Sequence, residues 1–361
     1  MHYNREVEDV RPRVDVRFLG HDRPVTYSLM FDTGSDITHI RVEAPAASAT
    51  TEEFIPDSTD PELSSSYMAL RPALEGEGYV DVGAGEVVGG GRDLYYGDDA
   101  SLRAVPVQRR IREMAQIYSA ADTFAHELIV DLTSAVDNRH TGVGLLGAGR
   151  TSEFAEAVGV FAFHPPTAAY MFGGSPNAGT LIIGERDFLQ MERDHCAAGA
   201  NLRFTNLRTD VSRTHWVISG NIVSGLGVAN AITWVVDTGA GGFYVDQATF
   251  DQTVVAIGAL GAIVEPYRPR YYTFIRNCGD RLRFPDVFFT LGAGNTATTV
   301  RIPATDYVQQ YDATACLLKL QPSGMTSLGG ARLLGIGVLS KLFTVFDRES
   351  DRLGFCIKRD L

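Results

Sequence analysis

Two short motifs constrain this chain more than anything else in it. Asp32-Thr33-Gly34-Ser35 closes the apolar run Leu29-Met30-Phe31 in the first half, and Asp237-Thr238-Gly239-Ala240 closes Trp234-Val235-Val236 in the second. Each is followed downstream by an apolar-apolar-glycine segment, Val143-Gly-Leu-Leu-Gly147 and Leu333-Leu-Gly-Ile-Gly337. Two half-chains thus carry the same two signals in the same order, the mark of an internal duplication. From average composition one Asp-Thr-Gly arises by chance in roughly 0.06 of chains this long and two in well under ~0.01. A single copy would be read as a strand-end turn with a capping aspartate; the pair calls for another explanation.

An apolar strand is anchored in a core, and a glycine after it permits a tight turn that lifts the aspartate to a surface. Pseudo-twofold packing of two such halves would bring Asp32 and Asp237 together at the interface. Two carboxyls a few ångströms apart cannot both ionise, so one pKa falls, the other rises, and the pair holds one proton. Water between them is deprotonated as it attacks a peptide carbonyl, and the shared proton passes to the departing amide.

The rest of the chain agrees with a mainly β protein. Period-two alternation marks strands at Arg13–Leu19, Val25–Phe31, Thr180–Ile183 and Trp216–Ser219, while Ser152–Val158 and Asp246–Ile257 read as short helices. Pro56–Ser66 and the glycine-rich Gly83–Gly91 read as surface loops. With 361 residues, 45% apolar and 21% charged, there is material for one or two sizeable cores. No apolar run is long enough to span a membrane. Lys and Arg total 32 against 44 Asp and Glu, a net charge of −12, which argues against nucleic acid or anionic lipid as a partner. The one basic knot, Val107–Glu113, reads as solvated surface. Four cysteines allow two disulfides in any of three pairings, or free thiols, and neither they nor the eight histidines show metal-ligand spacing. His195-Cys196 is read as an incidental neighbour pair, and no metal or cofactor is expected. Met1–Val10 lacks the basic start and apolar middle of a secretory signal, so an intracellular chain or a trimmed mature form is expected.

The repeated motif with its downstream glycine segments resembles the pepsin family of aspartic proteases. The likeness runs over most of the chain. Phe54-Ile-Pro with the serines up to Tyr67 is similar to a family segment following the first motif. Leu94-Tyr-Tyr-Gly97-Asp-Asp resembles the flap that closes over the cleft, and Leu333–Asp347 with Arg352–Phe355 resembles the family's terminal signature. The resemblance implies a bilobal, mainly β fold of two pseudo-twofold-related lobes with few short helices, divided as residues 1–184 and 185–361. It implies Asp32 and Asp237 as the catalytic pair, Thr33 and Thr238 bracing the loops across the lobes, and Gly34 and Gly239 meeting substrate backbone. Ser35 would donate to Asp32. Tyr96, with Tyr95 as the alternative, would tip the flap beside Gly97 and Asp98, and Ala240 would border the substrate. A disulfide Cys278–Cys316 is implied, leaving Cys196 with Cys356 paired or free.

Three positions depart from the pattern. His39 stands where the family has a tryptophan against the flap tyrosine. Ala240 stands where a hydroxyl commonly accompanies the second aspartate. A third departure is that no prosegment is expected ahead of the first strand. Asp36 is most simply a solvated charge, with tuning of Asp32 as the second reading. The expected function is an aspartic endopeptidase, monomeric, pepstatin-sensitive, preferring hydrophobic residues around the cut, secreted or endolysosomal/vacuolar. The alternative is a catalytically silent binding or inhibitor protein of the same fold. A retroviral-type homodimer is disfavoured because both motifs lie in one chain.

Overall fold

In the computed structural model, residues 12–19, 25–41, 86–89, 93–96, 103–118, 123–133, 144–165, 179–224, 227–265, 273–279, 283–310, 315–322 and 330–359 are described. They form a mainly β architecture of four sheets. An eight-stranded sheet takes all its strands from Arg13–Gly147, and a seven-stranded and a four-stranded sheet take theirs from Val217–Leu334. A five-stranded sheet joins the halves: Thr180–Ile183, Val160–His164, Leu342–Asp347, Arg352–Ile357 and Arg203–Asn206, in that order. It draws strands from both sides of residue 184. Among the described residues no helix is long and apolar enough to cross a membrane.

The duplication is visible strand by strand. Val25–Asp32 lies parallel to Gly144–Gly147 with Phe31 facing Leu146, and Gly227–Val236 lies parallel to Arg332–Leu334 with Val236 facing Leu334. In each half the glycine-bearing strand is then flanked antiparallel by the strand that follows the aspartate turn, Thr38–Arg41 or Phe243–Val245. The strand leading into each aspartate is therefore covered on both sides. Leu29, Met30 and Phe31 are all buried, as are Trp234, Val235 and Val236. Burial of both faces explains why these strands read as unbroken apolar runs while Arg13–Phe18, with one open face, alternates.

Both sequence-predicted helices form, each behind a side-chain cap. Ser152 Oγ accepts from Ala155 N at 3.1 Å ahead of Glu153–Val158, and an Asp246 carboxylate oxygen accepts from Thr249 N at 3.0 Å ahead of Gln247–Ala259. A third helix, Phe188–His195, was not anticipated. Its signal was present: Asp187 caps Gln190 N at 2.9 Å and the helix carries good formers such as Leu189, Gln190, Met191 and Glu192. Within the glycine-rich stretch, the described residues are a strand and not the expected loop. Glu86–Gly89 forms a strand on Arg103–Tyr118, because Val87 and Val88 suit a pleated ladder and a bulge beside Gly89 absorbs the irregularity. The basic knot lies in that same 16-residue strand.

An aromatic column ties the two halves of the chain together. Phe31 meets Phe154 and Phe161 edge-on, each at 5.8 Å between centroids. Phe161 stacks on Phe346 at 4.6 Å and meets Trp216 edge-on at 5.8 Å. All five rings are buried, and Trp216 Nε1 donates to Ala148 O at 2.8 Å, satisfying the one polar atom in the column. Two disulfides, Cys196–Cys356 and Cys278–Cys316, hold Cα atoms 5.7 and 6.2 Å apart. The first pins the end of the Phe188–His195 helix to the shared sheet.

Phe161→Ala empties the centre of this column, so a loss of about 3–5 kcal/mol is expected in denaturant unfolding. A loss below about 1 kcal/mol contradicts the assignment of Phe161 to the joint between the halves.

Candidate active site

The two aspartate turns face each other. Built onto Gly34, a Cβ would fall 2.5 Å from Asp237 Cγ; built onto Gly239, it would fall 2.5 Å from Asp32 Cγ. Each glycine therefore abuts the other half's carboxyl, and no residue with a side chain fits at either place. Within its own turn each carboxylate is aimed by the backbone: Asp32 Oδ1 accepts from Gly34 N at 2.8 Å, and Asp237 Oδ1 accepts from Gly239 N at 2.8 Å.

Behind the carboxyls the two threonines are fully buried and bonded crosswise. Thr33 Oγ1 accepts from Thr238 N at 3.0 Å and donates to Val236 O at 2.9 Å. Thr238 Oγ1 accepts from Thr33 N at 3.0 Å and donates to Phe31 O at 2.7 Å. Each hydroxyl gives once and takes once, so four buried backbone groups at the strand ends find partners some 205 residues away in sequence. Only a small β-hydroxyl residue does this; valine fills the volume and supplies neither bond.

Asp32 is buried, whereas Asp237 is partly exposed. The neighbours following each turn differ too. Ser35 Oγ lies 3.4 Å from both Ile37 N and Ile37 O, closing over its own turn in place of the expected donation to Asp32. Ala240 is buried, and its backbone N donates to Asp237 O at 3.3 Å. Asp36 is exposed. Ser35 O and Ala240 O occupy equivalent places, accepting from Gly149 N at 2.7 Å and Ile336 N at 2.8 Å. The downstream glycine segments thus clamp the aspartate turns.

Tyr96 ends the strand Asp93–Tyr96, paired antiparallel with Tyr96 opposite Arg103. The side chains of Tyr95 and Tyr96, the whole of Gly97 and Asp98, and the Phe54–Tyr67 segment lie outside the described residues. His39 is fully buried in Thr38–Arg41, opposite Asp131 on one neighbouring strand and Leu145 on the other. Burial pushes its imidazole down to about 4, with the Asp131 carboxylate opposing the shift. Sequence reasoning missed Asp131; a lone aspartate in the apolar run Leu128–Leu132 was the available signal. It also missed His215, one residue before the buried Trp216. Among the described residues no group of three His, Cys, Asp or Glu side chains could hold a metal ion.

Three comparisons bear on this geometry. The family model "Eukaryotic aspartyl protease" matches residues 170–358, just over half of the chain. Renin of Ovis aries is 30% identical over 128 residues, and renin of Rattus norvegicus 32% over 129, in each case 35% of this chain and 29% of the renin. The aligned region thus spans less than a third of these relatives. The aspartic proteinase from Irpex lacteus superposes over 97% of this chain and 94% of its own, with a TM-score of 0.63 at 16% identity. The fold is therefore the bilobal, mainly β one expected from the sequence.

A histidine whose folded pKa is about 4 against an unfolded 6.5 binds fewer protons folded than unfolded between those values. Stability from this residue is fully present above about pH 7, falls as the pH drops through that window, and levels off below about 4. The loss amounts to roughly 3 kcal/mol. His39→Gln should flatten the fall in unfolding free energy between pH 7 and pH 4 by about that amount; identical slopes in the two proteins contradict a buried neutral His39.

Proposed function

Because this chain belongs to the eukaryotic aspartyl protease family, we propose that it is an endopeptidase that cleaves extended polypeptide with water activated between Asp32 and Asp237. The observation that carries this reading is the reciprocal approach of Gly34 to the Asp237 carboxyl and of Gly239 to the Asp32 carboxyl. Two carboxyls so aligned are placed to share one proton between them. The ionised member takes a proton from water as the oxygen attacks the scissile carbonyl; the protonated member gives its proton toward the carbonyl oxygen, and the leaving nitrogen is protonated as the carbon–nitrogen bond breaks. Crosswise threonine bonds fix the distance between the carboxyls, so little reorganisation accompanies the step. The chemistry uses the two carboxyls and water alone.

The remaining assignments belong to the same proposal. Gly34 and Gly239 meet substrate backbone through their own main chain, Ser35 and Ala240 line the flanks of the carboxyls, and Tyr96, Gly97 and Asp98 form the flap. The chain divides into lobes 1–184 and 185–361, acts as a monomer, prefers hydrophobic side chains around the cut and binds pepstatin-like inhibitors. Two disulfides suit an oxidising compartment, so a secreted or endolysosomal/vacuolar setting is proposed. The second reading, a silent binder, draws on His39 and Ala240 in place of the family's tryptophan and hydroxyl; the intact pair of Asp-Thr-Gly turns favours the enzyme.

Asp32→Asn or Asp237→Asn alone should reduce pepstatin-sensitive cleavage of denatured casein to below a few per cent, with unfolding stability unchanged or slightly raised. Retention of a larger fraction by either mutant removes that residue from the pair. A donor near Asp237 stabilises its ionised form, so Ala240→Thr should lower the basic-limb pKa of kcat/KM by a few tenths of a unit. An unchanged or raised limb means that Ala240 does not border the carboxyl.

A further inference from the structure

His215 has no part in the reaction proposed above, yet the fold brackets it between the two aspartate turns. The antiparallel register of Val217–Ser224 with Gly227–Val236 sets Val217 opposite Val235, and the bond from Val236 N to Trp216 O, 2.9 Å, adds one further rung. Continued one position further, the same register brings His215 opposite Asp237, at a site of the non-hydrogen-bonded kind where facing side chains come closest. From the other side, Gly149 N donates to Ser35 O at 2.7 Å and Arg150 N to Thr214 O at 3.0 Å. Residues 149 and 150 thereby staple the Ser35-Asp36 turn to the backbone that carries His215.

The ring is built to change charge in place. Its Nδ1 lies 2.9 Å from Ser212 Oγ and 2.8 Å from Thr214 Oγ1. Each hydroxyl donates to a neutral nitrogen or accepts from an imidazolium N–H, so both states keep their partners. The carboxylates whose fields act on it are Asp36 from the first turn and Asp237 from the second. The nearby Arg150 is directed elsewhere, with Nε on Asp351 Oδ1 at 3.0 Å and its other arm on the Arg213 carbonyl. Burial lowers the basicity of the imidazole, and Asp36 and then Asp237 pull it back up.

Resting on the reading of Asp237 as half of the acid–base pair, we propose that His215 is a positioning residue whose imidazolium stabilises the Asp237 carboxylate across the strand pair. It substitutes, in acid only, for the hydroxyl that Ala240 lacks. As the pH falls the ring gains its charge beside the Asp237 carboxylate, so the acidic limb of activity extends to lower pH. Near neutrality the ring is uncharged and the basic limb is left to the carboxyl pair.

Two measurements test this. In kcat/KM against pH, His215→Gln should raise the acidic-limb pKa by roughly half a unit, and His215→Arg, which keeps the charge, should return it to the wild-type position or below. Equal shifts in both variants, or none in the Gln variant, overturn the proposal. Independently of activity, NMR titration of the His215 ring should show a lower midpoint in Asp237→Asn than in wild type, because removing the carboxylate removes what favours the imidazolium. A midpoint that stays in place in Asp237→Asn overturns the proposal even if the unmutated protein cleaves normally. A lowered midpoint in Asp237→Asn, with an unmutated protein that cleaves nothing, sustains the coupling and sinks the endopeptidase reading instead.

Discussion

Two buried hydroxyls hold the site together. The Thr33 and Thr238 side chains each cap a backbone N–H and a carbonyl of the opposite half, at the point where an apolar strand turns outward to present its aspartate. Unpaired, those backbone groups would each cost about 1–3 kcal/mol in a buried setting, so the halves are driven to meet in one register. Once they meet, Gly34 and Gly239 must be glycine, since the facing carboxyl occupies the space of any side chain. The separation of the carboxyls thus follows from packing and needs no separate device. The aromatic column of Phe31, Phe161, Trp216 and Phe346 supports the same joint from below, where burial of large rings supplies the apolar contribution.

Much of this was legible because duplication repeats the informative signal. Two Asp-Thr-Gly turns and two downstream glycine segments revealed the duplication, and the structure pairs each turn's strand with its own segment in equivalent registers. Helix caps at Ser152 and Asp246 were readable since capping is local chemistry. The Phe188–His195 helix went unread despite its Asp187 cap, being short and burying only Met191 in full. Contacts set by the tertiary fold were out of reach. Nothing in the sequence aligns His39 with Asp131 across two parallel strands, or His215 with Asp237 one rung past a paired register. Ser35 shows a further limit: its hydroxyl chooses Ile37 in its own turn, a local competition that motif reading does not weigh.

The surroundings of the carboxyls are unequal, which matters for any chemistry between them. Asp32 is buried beneath its turn while Asp237 is partly open and faced by His215. His39, buried neutral beside Asp131, makes acid costly to the fold, whereas His215, with hydroxyls on its ring, is equipped to take up charge. One histidine therefore sets a stability limit in acid and the other extends function toward it. The proposed working range lies between these opposing effects.

The central claim is that Asp32 and Asp237 act on one shared oxygen. It is tested most directly by a crystal structure with a peptide-like inhibitor that carries a central hydroxyl in place of the scissile carbonyl. The account predicts that this hydroxyl lies within hydrogen-bond distance, about 2.5–3.0 Å, of a carboxylate oxygen from each aspartate. An inhibitor bound in the cleft with its hydroxyl on one aspartate alone, or on neither, would contradict it.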